Sequence, residues 1–126
     1  MEEKRKYPRL KDCLSITLSE SQWDIATETT NISASGAYCA IDKPMKLMTK
    51  LSITLFVPLE NKRKKELRKV TCNGVVVRNE RTKYNGKYPY YVGIYFNEIR
   101  KTDRKLLLSY INSFLKTADS PRLPQN

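Results

Sequence analysis

Histidine is absent from this 126-residue chain. That removes the Ser-His and Cys-His pairs of nucleophilic catalysis and the commonest metal ligand. Cysteine is scarce: Cys13, Cys39 and Cys72 form an odd set with no C-x-x-C spacing. Each falls in a strand-like segment, so reduced, buried thiols are expected. No apolar run follows the opening Met1-Glu2-Glu3-Lys4-Arg5-Lys6. Neither a signal peptide nor a spanning helix is expected, hence a cytoplasmic location without membrane insertion. Nothing in the chain supplies an activated nucleophile or a poised acid and base. An enzyme is the least expected class, and no catalytic residue, metal site or cofactor is assigned.

What the chain has in excess is positive charge. Lys and Arg number 24 against 13 Asp and Glu, a formal net charge of +11. Such a balance points to an anionic partner, whether nucleotide, nucleic acid, acidic protein or membrane surface. The length suits one domain with a real core.

Apolar periodicity reads as strands along most of the chain. Leu14, Ile16 and Leu18 alternate with Ser15 and Thr17, and Asp24 to Thr30 is β-branched and polar. Ala37 to Ile41 follows Gly36, and Leu51, Ile53, Leu55 and Val57 alternate up to Pro58, which is expected to end that strand. The basic run Asn61 to Lys69 reads as a solvated hairpin tip or a docking surface for an acidic partner. Gly74, inside the β-rich stretch Val70 to Asn79, predicts a bulge or bend. Asn85-Gly86 marks a turn, and Tyr90 to Phe96 forms the last strand. Six strands at hairpin-like spacing favour an antiparallel barrel or sandwich. The period then becomes helical through Leu107, Ile111, Phe114 and Leu115, with Thr102 as the expected N-cap and Asp103 in the first turn.

Two short motifs about twenty-five residues apart carry the functional signal. Arg5-Lys6-Tyr7-Pro8-Arg9 reads R-x-x-x-R, and Asn31-Ile32-Ser33-Ala34-Ser35-Gly36 reads N-x-S-x-x-G. A guanidinium forks onto a phosphate or the O6/N7 edge of guanine and can stack on a purine. Four residues is an even step in a strand and about one turn in a helix, so Arg5 and Arg9 share a side in either. Pro8 biases the arm toward extended geometry. Asn31 offers an amide oxygen to the guanine N1 and N2 donors, Ser33 a small hydroxyl, and Gly36 close backbone approach. Taken alone, the first motif reads as a solvated basic face and the second as an ordinary turn.

Paired in this order, the motifs resemble the signature of the PilZ domain, a family of bacterial receptors for cyclic di-GMP. The resemblance extends over nearly the whole chain. It implies a mainly β fold, a six-stranded antiparallel PilZ-like β-barrel with a C-terminal α-helix. Residues 1–11 would be a basic ligand-binding arm, 12–118 the barrel and helix, and 119–126 a disordered tail. Arg5 and Arg9 would grip phosphates and guanine edges, with Asn31, Ser33 and Gly36 as the strand-borne half of the site. Lys4, Lys6 and Arg78 are weaker candidates for phosphate contacts. Asn31 stands where many members have Asp, which removes the charge-assisted part of a bond to guanine. The implied function is a stand-alone cyclic di-GMP receptor that signals to an unidentified protein partner. Two other readings compete. One is a nucleic-acid module using Tyr84, Tyr88, Tyr90, Tyr91 and Tyr95 beside Lys83 and Lys87. The other is a ligand-free adaptor, against which both retained arginines argue.

Overall fold

The computed structural model describes residues 9–10, 14–60, 65–82 and 88–119. Lys4, Arg5, Lys6, Cys13, the tip 61–64, Asn85-Gly86 and tail residues 120–126 lie outside them. The described elements are β1 (Arg9–Leu10), β2 (Ser15–Glu20), β3 (Trp23–Ser33), β4 (Gly36–Ile41), β5 (Lys50–Glu60), β6 (Lys65–Arg81), β7 (Tyr90–Glu98) and α1 (Lys101–Asp119).

Every pairing among them is antiparallel, and the order β3-β2-β5-β6-β7-β4 returns to β3 through a β3–β4 ladder. The expected six strands thus form a ring. The short β1 adds to it by pairing with the end of β3, Arg9 opposite Ser33 and Leu10 opposite Ile32. β1 and β2 follow one another along one edge of β3, with Thr29 at the junction. Leu14 N–H donates to Thr29 Oγ1 and Thr29 N–H donates to the Leu14 carbonyl, both at 2.9 Å. Thr29 is fully buried, so its hydroxyl needs such a partner.

Side-chain alternation fills the ring. Ile16, Leu18, Ile53, Leu55, Val76 and Phe96 are among the fully buried side chains. Each such burial contributes about 1.5–3 kcal/mol relative to exposure. α1 covers one end through Leu107, Tyr110 and Ile111, one face at i, i+3 and i+4, and packs against β1, β3 and β5. Gly74 lies where the β6–β7 register shifts between Asn73 and Val75, the expected bulge. A Cβ there would sit 2.5 Å from Ile53 Cδ1 and 2.7 Å from Ile94 Cγ2. The bend therefore brings two core side chains over the bare backbone.

Three local expectations change. β5 continues through Pro58 to Glu60, and Pro58 pairs with Leu67. β2 covers the other edge of β5 only as far as Leu55, so Pro58 sits where the strand has one neighbour instead of two. Lys65 to Lys69 consequently belong to β6 and not to a hairpin tip. The helix starts two residues early: Arg104 N–H donates to the Arg100 carbonyl at 2.9 Å, which makes Arg100 the cap position and puts Thr102 inside. Asp103 is buried and accepts from Arg100 Nε at 3.1 Å, so the first-turn acid holds the new start. No helix among the described residues is long and apolar enough to cross a membrane.

Cys39 is fully buried and Cys72 half-buried. Burial pushes the Cys39 thiol from 9.0 up to about 12, and burial with the nearby negative charge of Asp103 does the same for Cys72. Neither thiol is activated as a nucleophile.

Phe96→Ala is expected to cost about 3–5 kcal/mol in urea unfolding. Leu67→Ala, at a side chain 65% exposed, should stay within about 0.5 kcal/mol. The raised thiol pKa of Cys39 contributes stability fully present below pH 9 and lost as pH rises toward about 12, because only the unfolded chain ionises in that window. Urea midpoints at pH 8 and pH 10.5 should therefore fall less with pH in Cys39→Ala than in the parent.

Candidate functional site

Ser33 and Gly36 face each other across the two-residue turn Ala34-Ser35. Ser33 Oγ accepts from Ser35 N–H at 3.1 Å and lies 3.1 Å from Ser35 Oγ, so the motif serine closes its own turn. The Ser35 carbonyl accepts from Phe96 N–H at 2.8 Å, which ties the turn to β7. Gly36 is not in the left-handed region. Its glycine is required by close approach instead: a Cβ there would collide with the Ile94 carbonyl oxygen of β7.

On the outer face of β4 and β7, glycine and tyrosine alternate across the ladder. Gly36 pairs with Tyr95, and Tyr38 pairs with Gly93. A Cβ on Gly93 would lie 2.6 Å from Tyr38 Cε1, so the Tyr38 ring lies across that bare backbone. Asn31 pairs with Tyr38 from the β3 side, and Arg78 pairs with Gly93 from the β6 side. A cavity of about 180 Å³ opens here, and Asn31, Ser33, Gly36, Tyr38, Gly93 and Tyr95 line it with Ser35, Ala37, Val77 and Ile94. Val77 is the extra residue where the β6–β7 register shifts between Val76 and Arg78, and it is 52% exposed at the rim.

The expected site residues therefore divide. Asn31, Ser33 and Gly36 come together in one cavity. Arg9 is set with its backbone opposite Ser33. Arg5, Lys4 and Lys6 lie outside the described residues. Arg78 stands next to Gly93 on the outer face and makes an exposed ion pair with Glu80 at 3.6 Å, a contact worth little in water. Among the described residues no carboxylate lines the cavity, so an anion or a guanine edge meets amide, hydroxyl and aromatic groups without opposing charge.

Tyr38, Gly93, Tyr95 and Val77 did not emerge from the motifs. Gly93 alone carried a usable signal, since a glycine inside a strand often marks close approach of another group. The tyrosine cluster also splits: Tyr90 packs against the core with Arg81 5.7 Å over its ring, while Tyr91 and Tyr95 face outward and Tyr95 reaches the cavity. Tyr84, Lys83 and Lys87 lie outside the described residues.

Comparison with known proteins bears on the whole arrangement. No curated protein matches the chain by sequence. Among solved structures, the inhibitor of motility MotI/DgrA of Bacillus subtilis superposes with a TM-score of 0.81 at 20% identity, over 92% of this chain and 53% of that one. This chain thus spans about half the length of MotI/DgrA. The PilZ domain of YcgR from Escherichia coli, solved with cyclic di-GMP, gives a TM-score of 0.62 at 11% identity, covering 95% of this chain and 98% of that one. These likenesses concern the fold. A family model for the PilZ domain matches residues 3–113, both motifs included. The ring of strands, the closing helix and that match together place the chain in the PilZ domain family.

Proposed function

We propose that this protein is a receptor for cyclic di-GMP, without chemistry of its own, whose bound ligand orders the N-terminal arm and so signals to a protein partner. Membership in a family of binding modules that includes cyclic di-GMP receptors supports the reading. The observation that carries it is the cavity joining Asn31, Ser33 and Gly36, with the backbone of Arg9 paired to that of Ser33.

Asn31 would accept from guanine N1 and N2 through its amide oxygen. Ser33 Oγ accepts from Ser35 N–H and also bonds Ser35 Oγ, so a ligand would meet its hydroxyl by replacing that Ser35 Oγ contact. Arg5 and Arg9 would take the two phosphodiesters or stack on a base, where guanidinium groups surpass lysine. The chain's charge of +11 favours approach of a dianion at long range.

A route for the output is available. β1 pairs with β3 and also packs against α1, so ligand that holds Arg9 also biases the strand on which the helix rests. Binding energy used to order a segment is a plain form of population shift.

The test is calorimetric titration with cyclic di-GMP, and with GTP, cyclic di-AMP and a single-stranded oligonucleotide as controls at two salt concentrations. Selective binding of cyclic di-GMP is the expected result. Salt-sensitive oligonucleotide binding without it would replace this reading with the nucleic-acid module. Arg5→Ala and Arg9→Ala should each weaken binding by at least about tenfold, the scale of a lost charge-assisted hydrogen bond. Full affinity in both would sink the site. Asn31→Asp should tighten binding about five- to tenfold by restoring the charge-assisted bond to guanine.

A further inference from the structure

The cavity is too small for the ligand proposed above. At about 180 Å³ it falls below the roughly 300–1,000 Å³ that enclose a drug-sized molecule. It admits one base, and the rest of a dinucleotide must lie on the surface beside it.

That surface has a definite direction. Asn31, Tyr38, Gly93 and Arg78 form one cross-strand row over β3, β4, β7 and β6. Three inter-strand steps of about 4.8 Å make the row roughly 14 Å long. It starts at the amide that would read guanine and ends at a cation 57% exposed. Between them the floor is low, because Gly93 has no side chain and the edge of the Tyr38 ring, Cε1 and Cδ1, occupies the space a Cβ would take. In the neighbouring row Gly36 leaves the floor bare, since the group nearest its missing Cβ is the Ile94 backbone and not a ring. Gly36 lines the same cavity as Tyr38, two residues along β4, and Tyr95, its partner across the ladder.

We infer that Tyr38 is the stacking platform of the site and Arg78 its outer phosphate contact. One base enters over Gly36 against the Tyr38 ring, with its edge toward Asn31, and the backbone of the ligand runs along the row to Arg78. The assignment rests on the cyclic di-GMP reading and extends it to residues outside both motifs. Gly93 acts as a positioning residue, because it gives the Tyr38 ring its place. A competing account is purely structural: an aromatic ring laid over a cross-strand glycine also covers bare backbone. The two accounts differ in what the ring does for ligand.

Titration of cyclic di-GMP into the full chain and its variants separates them, with urea unfolding of each variant run alongside. Tyr38→Ala should raise Kd between about 5- and 150-fold, the range of one base–aromatic stack. Tyr38→Phe should leave Kd unchanged, because the ring face remains. Arg78→Ala should raise Kd more at low salt than at high salt. Gly93→Ala should destabilise the parent and cost less in the Tyr38→Ala background, since the clash is with that ring. If the parent binds cyclic di-GMP and Tyr38→Ala binds equally well, the platform is refuted while the receptor reading stands. If the parent does not bind cyclic di-GMP, both fall. An equal cost of Gly93→Ala in the two backgrounds would overturn the positioning role.

Discussion

Everything in this fold that bears on a ligand depends on β3 changing partners along its length. Its first half, Trp23 to Glu28, pairs with β2, and its second half, Thr29 to Ser33, pairs with β4 on the other edge. That change closes the ring of strands, since β4 then has β7 on one side and the end of β3 on the other. It requires a local irregularity, seen as the register shift between Thr29 and Asn31. Thr29 stands at the handover, with hydroxyl and backbone both bonded to Leu14. Asn31 and Ser33 come immediately after the shift. The residues that line the cavity are thus placed by the same feature that closes the barrel.

How much of this could be read from the chain depends on the range of the interaction involved. The alternation of Leu14, Ile16 and Leu18, or of Leu51, Ile53, Leu55 and Val57, is set by neighbours two residues away and shows directly in the sequence. The bend at Gly74 is equally local. Pro58 misled because its effect depends on whether β5 has one neighbour or two, and only the tertiary pairing decides that. Lys65 to Lys69 look like a loop by composition, yet they form strand because β5 offers a partner as far as Glu60. The helix start moved because Asp103 is bonded to Arg100, a pairing no capping pattern at Thr102 anticipates.

The candidate site divides in the same way. Asn31, Ser33 and Gly36 are visible because the end of β3, a two-residue turn and the start of β4 carry all of them within six residues. That Tyr38, Gly93, Tyr95 and Val77 join them does not show in the motifs, because these residues meet only across strand pairs and their spacing along the chain has no period. Even Gly36 had a partly hidden reason. The glycine appeared to make room for a ligand, whereas the group that fills its missing Cβ is the Ile94 carbonyl. The same bare backbone admits β7 and takes a place in the cavity lining.

Ser33 shows why such a site can be coupled to the rest of the molecule without a long relay. Its hydroxyl shapes the turn, its backbone pairs with Arg9, and its side chain borders the cavity. A ligand touching Ser33 therefore acts within one residue of the β1–β3 ladder. Among the described residues that ladder comprises Arg9 and Leu10, beside the eleven-residue β5–β6 ladder. Short ladders open at low cost, and segments of low local stability are the ones that ligands can shift. α1 rests partly on β1, so on the proposed reading a change in that ladder would reach the helix. On the receptor reading proposed above, the ring of strands would supply the geometry of recognition and β1 the part that responds to ligand.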